Sequence, residues 1–286
     1  PLAIDRSPEH RKILPGVKNI IAVSSGKGGV GKSTVTANLA AGLAQKGYSV
    51  GLIDADIYGP SMPLMFDVDR ERPVTIDVDG SNYIKPIESH GVKILSIGFF
   101  ADPEQAIVWR GPMATKALRQ MFTDTFWGNL DYMIIDLPPG TGDVHLSLVQ
   151  IVPITGAIVV TTPQGIALAD AKKGVSMFQL DSIQVPVLGI VENMAWFTPA
   201  ELPENKYYIF GKEGGVNLAK NLKVELLGQI PLVQSICEAA EVGRPAVLQE
   251  ETPQGKALQE MVDNIERAVN VRNVTLPPTK ILNVSN

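Results

Sequence analysis

A three-layer α/β/α fold around a mostly parallel sheet is what this sequence predicts. Three observations carry the prediction. Short apolar runs without polar alternation recur along the chain, as in strands covered on both faces. Helical patterns separate them, as in parallel βαβ crossovers. A glycine-rich turn, Ser-Ser-Gly-Lys-Gly-Gly-Val-Gly-Lys-Ser-Thr at 24–34, joins the first such strand to the first such helix.

Residues 1–16 are polar, hold three prolines and show no period, so they read as a linker-like segment. Residues 19–24 (NIIAVS) form the first strand. Residues 32–46 are rich in alanine and leucine at helical spacing, and Gly47 stops them. Residues 49–54 (SVGLID) form the next strand. The region 70–98 breaks the rhythm. Its runs VTIDV and YIKP flank Asp79-Gly80, a tight-turn pair, and predict a small β-hairpin excursion. Strands follow at 132–136, 157–161, 187–192 and 225–230, and the final helix is expected over 253–271. The organisation predicted is a linker over 1–16, one domain over 17–272 and a loose tail over 273–286.

The 286 residues are 45% hydrophobic and 19% charged, enough apolar material for a full core. The formal charge of −5 gives no general attraction to nucleic acid or anionic lipid, and neither is expected as a partner. No apolar run approaches the length of a membrane span. A single cysteine, Cys237, forbids an intrachain disulfide and points to a cytoplasmic setting. It is expected as a small buried hydrophobe. The three histidines lack metal-ligand spacing.

The turn contains G-x-x-x-x-G-K-S from Gly26 to Ser33, the pattern of a phosphate-binding loop. Gly26, Gly28, Gly29 and Gly31 let the backbone curl around Val30, turning N–H groups inward toward phosphate oxygens. The helix that follows adds its positive dipole end. Lys32 is placed to neutralise the β and γ phosphates, Ser33 to ligate Mg²⁺, and Thr34 to contact the α phosphate. Asp54 and Asp136 end strands on the edge where this loop lies. Asp136 is the expected partner of the Mg²⁺ shell, Asp54 a further candidate for the metal, and Asp56 the candidate for orienting the attacking water. Capping of the following turns is the alternative for these acids. The run Leu-Pro-Pro-Gly-Thr-Gly-Asp after Asp136 suits a segment sensing the γ phosphate, with Gly140 offering a bare amide, or else a rigid turn.

GKGGVGKS resembles the deviant Walker A loop of the MinD/ParA-type ATPases, a P-loop NTPase group. That resemblance implies a homodimer sandwiching ATP, with Lys27 reaching the partner's phosphates. A cation supplied in trans would tie hydrolysis to dimer formation, as an arginine finger does. Further motifs, DADIYGPSMP at 54–63, VWRGPM at 108–113, DLPPGTGD at 136–143 and ENM at 192–194, are similar to the Mrp/ApbC family of iron–sulfur cluster carrier ATPases. The likeness runs from about 17 to 269. It implies that Asn193 reads adenine, that Pro231 lines the base pocket, and that apo iron–sulfur proteins are the clients.

The departure is in the cluster ligands. The family's usual Cys-x-x-Cys after the ENM segment is absent, and 195–211 holds no cysteine. An iron–sulfur cluster is therefore implied by family alone, with no ligands found in this chain. Cys237 is one thiol where a cluster commonly takes four. Other readings are a MinD/ParA-like positioning or partitioning switch, an electron-transfer reductase, and a small-molecule kinase whose acceptor pocket uses Trp109 and Arg110. The first lacks a membrane helix or basic surface, and the second lacks a second cysteine.

Overall fold

The computed structural model describes residues 13–100, 111–199, 201–202 and 204–278. The sequence readings at 1–12, Val108, Trp109, Arg110 and 279–286 lie outside the described residues.

The first strand, β1 (Val17–Ser25), leads into α1 (Lys32–Gln45) and β2 (Val50–Asp54). A four-residue helix, α2 (Met62–Met65), precedes the hairpin β3 (Val74–Val78) and β4 (Ser81–Lys85). Then come β5 (Ile87–Ser89), β6 (Val92–Ser96), α3 (Gly111–Thr123), β7 (Leu130–Asp136), α4 (Asp143–Ile151) and β8 (Gly156–Thr161). The chain continues through α5 (Gly165–Phe178), β9 (Val187–Glu192), α6 (Gly214–Leu222), β10 (Glu225–Gln229), α7 (Gln234–Glu241) and α8 (Pro253–Thr275).

Eight strands form one sheet in the order β10-β9-β8-β1-β7-β2-β6-β5, parallel except for edge strand β5. The inner strands carry apolar side chains on both faces, and Ile21, Leu52, Ile134 and Val159 are fully buried. That requires cover on both sides. α1 and α8 pack together on one face, and right-handed crossovers put α3–α6 on the other.

β1 sits between β7 and β8, with Val23 level with Asp136 and Ile158. β2 lies on the other side of β7, with Asp54 level with Asp136. Three consecutive parallel strands thus bring the loop after β1 and the acids ending β2 and β7 to one crevice, where the order of connection reverses.

Two expectations are corrected. The excursion over 70–98 stops at β4. His90 and Gly91 take positive φ values of 48° and 75° and reverse the chain, so β6 enters the main sheet parallel to β2. Its apolar run, Ile94 and Leu95, is core of the main sheet, where β6 also pairs antiparallel with β5. The final helix runs to Thr275, four residues past its expected end, and Val269 and Arg272 remain buried along it.

Candidate functional site

The loop between β1 and α1 is shaped by what surrounds it. Gly31 has φ 80°, and a Cβ there would lie 2.1 Å from Asn193 Nδ2. A Cβ on Gly26 would lie 2.2 Å from the Asp170 carbonyl carbon, because the backbone of α5 presses on the loop. Gly28 and Gly29, in contrast, face open space. The N–H groups of Gly28, Gly29, Val30 and Gly31 donate no hydrogen bond to the described residues. A curl of amides unpaired among the described residues, at a helix start and opening to solvent at Gly28 and Gly29, fits an anion.

Lys32 opens α1, and its side chain is only 6% exposed. Its Nζ lies 2.7 Å from Asp136 Oδ2 and 3.5 Å from Asp56 Oδ2. Asp136 has no exposed surface. Ser33 Oγ donates to its Oδ2 at 2.7 Å, and Thr36 Oγ1 donates to its Oδ1 at 2.7 Å. Lys32, Ser33 and Thr36 fall on one face of the first turns of α1, at helical spacing. A buried carboxylate is tolerated because a cation and two hydroxyls surround it. The structure therefore brings together Lys32, Ser33, Asp56 and Asp136, and it adds Thr36. The sequence signal for Thr36 was its i+4 spacing from Lys32.

Asp54 has a different occupation. Its Oδ1 accepts from the Asp56 amide at 3.2 Å. Its Oδ2 accepts from the Ser61 and Met62 amides at 3.0 and 3.1 Å and from Ser96 Oγ at 2.9 Å. It caps α2 and shapes the loop carrying Asp56, which is the capping alternative. Burial, with the nearby Asp136 charge, pushes its carboxyl up to about 7, against the lowering effect of the Met62 and Ser96 hydrogen bonds and of Lys32.

Lys27 is half-buried, and its ammonium makes no ion pair or hydrogen bond with the described residues. The Gly140 amide is not bare. With φ 87° it donates to the Ser25 carbonyl at 2.8 Å, which ties the segment after β7 to the end of β1. Asn193 is buried, and its Nδ2 donates to the Val30 carbonyl at 2.9 Å, so it buttresses the loop. Pro231 is buried between residues whose amides reach the Glu192 and Trp196 carbonyls. Thr34 lies in the first turn of α1, and its carbonyl accepts from Asn38 Nδ2.

Glu192, missed as a positioning residue, is fully buried. It accepts from the Gly215 amide at 2.7 Å and from Gln229 Nε2, pinning α6 and β10 beside Asn193. Cys237 is exposed, contrary to expectation. In α7 the neighbouring Ala239 faces inward, while Cys237 shares the outer face with Gln234, Glu238 and Glu241. No group of three or more His, Cys, Asp or Glu able to hold a metal occurs among the described residues. No helix among them is long and apolar enough to cross a membrane.

Residues 16–266 match the family model described as ParA, the NUBPL iron-transfer P-loop NTPases. The chain belongs to this family. An iron–sulfur cluster carrier protein of Aquifex aeolicus is 54% identical over 83% of this chain and 64% of its own length. The chain thus spans less than two thirds of that relative. The iron–sulfur cluster transfer protein NUBPL of Dictyostelium discoideum is 44% identical over 94% of this chain and 82% of its own. Among solved structures, a nucleotide-binding protein of Archaeoglobus fulgidus in complex with ADP superposes with a TM-score of 0.71 at 36% identity, covering 84% of this chain and 90% of that one. The NUBPL-type chain therefore combines a P-loop NTPase fold with carrier-family ancestry.

The raised Asp54 pKa has a signed consequence for stability. Between the ordinary value of 3.8 and about 7, the native state keeps a proton that the unfolded chain releases. The contribution is fully present below about pH 4 and is lost as pH rises through about 7. Urea unfolding of wild type and Asp54→Asn across this range should show the stability difference moving against wild type as pH rises. A difference independent of pH would contradict the raised value.

Proposed function

We propose that this chain binds and slowly hydrolyses Mg·ATP as a homodimer in the cytoplasm, using the cycle to load and release an iron–sulfur cluster for apoprotein clients. The observation that carries this reading is the cluster of Lys32, Ser33 and Asp136 beside four unpaired loop amides. The donor set fits the nucleotide: amides for phosphate oxygens, one buried ammonium, one hydroxyl and one carboxylate for the cation shell.

The loop from Gly26 to Thr34 receives the phosphates. Lys32, held between Asp136 and Asp56, exchanges these carboxylates for β and γ phosphate oxygens. Ser33 and Asp136, already hydrogen-bonded to each other, would hold Mg²⁺. Mg²⁺, when bound, would supply charge neutralisation for the phosphates. Freed from Lys32, Asp56 orients the attacking water and accepts its proton. Asp54 keeps Asp56 in place by holding its amide. Asn193 and Pro231 flank the base, and Gly140 links the loop after β7 to the phosphate end of β1.

Lys27 has no partner among the described residues, and it is the residue assigned to the partner subunit's phosphates. Its charge completes the site only when two chains meet, so hydrolysis depends on dimerisation. The cluster is cargo. One exposed thiol per chain is too few for a cluster that commonly takes four thiolates. Client or partner thiols share its ligation, and Glu201 and Glu204, hard oxygen donors, do not replace them.

Lys32→Ala should abolish ATP binding, with turnover falling by roughly a hundredfold or more. Lys27→Ala should bind ATP within about threefold of wild type yet lose the rise of turnover with protein concentration. Thermal unfolding of each variant checks the fold. Wild-type turnover in Lys27→Ala would remove the in-trans role.

A further inference from the structure

A groove of about 550 Å³ opens between α4 and α5, on the sheet face opposite α1. Its wall is largely apolar, with Leu146 from α4, Met177 from α5 and Leu180 from the turn just after α5, and Leu180 is 50% exposed. Lys172 and Lys173 stand on its rim, and Thr141, from the segment after β7, closes one end. The described lining residues carry two positive charges and no negative one. Lys173 is paired with Asp170 at 3.0 Å, while Lys172 makes no ion pair among the described residues. This basic rim belongs to a chain of net charge −5, so it is a local departure from the overall charge.

The groove has a helical stamp. Ala169, Lys172, Lys173 and Ser176 form one exposed stripe of α5, at intervals of three and four residues, and exposed Leu180 follows two residues past the helix end. Met177 near the C-terminal end of α5 and Leu180 just past it carry the apolar floor beyond the two lysines. A surface of this kind accepts the apolar face of another helix, and its unpaired cation selects acidic residues flanking that face.

We propose that the α4–α5 groove is a docking site for an acidic amphipathic helix of another protein. Leucine-like side chains fill the space over Leu146, Met177 and Leu180, and carboxylates flanking them meet Lys172 and Lys173. The lysines choose the partner by charge, and the apolar floor supplies the area. A helix seated there also touches Thr141, next to Gly140, whose amide holds Ser25 at the end of β1. The docking itself does not rest on the nucleotide reading.

The probe is a fluorescein-labelled peptide of about 14 residues with leucines at i, i+3, i+7 and i+10 and glutamates on the flanks. A second peptide carries lysines in place of the glutamates. Anisotropy gives affinity, and methyl NMR of the full chain locates the site. The expected result is saturable binding of the acidic peptide, with shifts at Leu146, Met177 and Leu180. Lys172→Glu/Lys173→Glu should weaken it about tenfold and bind the basic peptide better than wild type does. Both positions are exposed, so thermal unfolding of the variant should match wild type. Three results would overturn the proposal. One is equal affinity for both peptides, or shifts elsewhere. Another is loss of a self-associated species in the double variant by size exclusion, which would assign the groove to a second copy. The last is lysine-dependent binding of phosphatidylserine vesicles without peptide binding, which would assign it to a lipid surface.

Discussion

The Asp136 carboxylate is the constraint on which the site depends. It is fully buried at the end of β7, where an ionised group survives only with its partners in place. Those partners, Lys32, Ser33 and Thr36, all come from the first turns of α1. One acid therefore locks the helix start to the sheet edge and sets the direction of the glycine loop before it. The amides of Gly28 to Gly31 have no partners among the described residues, which is the state an anion site requires. The parallel register of β1, β7 and β2 makes this geometry available, since it levels Val23, Asp136 and Asp54 on one row.

Three buried acids end three strands, and each does something different. Asp136 gathers a cation and hydroxyls. Asp54 gathers the Asp56, Ser61 and Met62 amides and so fixes the loop that carries Asp56. Glu192 caps the start of α6 and ties it to β10. From sequence the three look alike, each an acid after an apolar run. What separates them is the donors that the tertiary fold brings near, and those donors lie between two and more than a hundred residues away.

The central strands and the loop were legible because their signals are local. Apolar runs show double-sided burial, and four glycines before Lys-Ser show a phosphate turn. The path of β6 was not legible, because Ile87 to Ser96 has the composition of a hairpin, and only pairing with β2 makes β6 a sheet strand. Gly140 was misread because its amide partner, the Ser25 carbonyl, is distant in sequence. Cys237 was misread because residue type was weighed above helical phase. Its neighbours Gln234, Glu238 and Glu241 mark the outer face of α7.

The same hub explains how a nucleotide would act on the chain. In the proposed reading, phosphate would compete with Asp136 and Asp56 for Lys32, and a cation would compete with Asp136 for the Ser33 hydroxyl, so binding would re-partner a buried charge rather than fill a passive cleft. A rearrangement at Asp136 would reach the segment that follows it, which the Gly140–Ser25 hydrogen bond ties to the end of β1. The most direct measurement is calorimetric titration of ATP into the chain with and without Mg²⁺, repeated on Asp136→Ala. The account predicts one nucleotide bound per chain, tightened by Mg²⁺ in wild type and indifferent to Mg²⁺ in the variant. Binding that ignores Mg²⁺ in wild type, or keeps its Mg²⁺ dependence in Asp136→Ala, would contradict it.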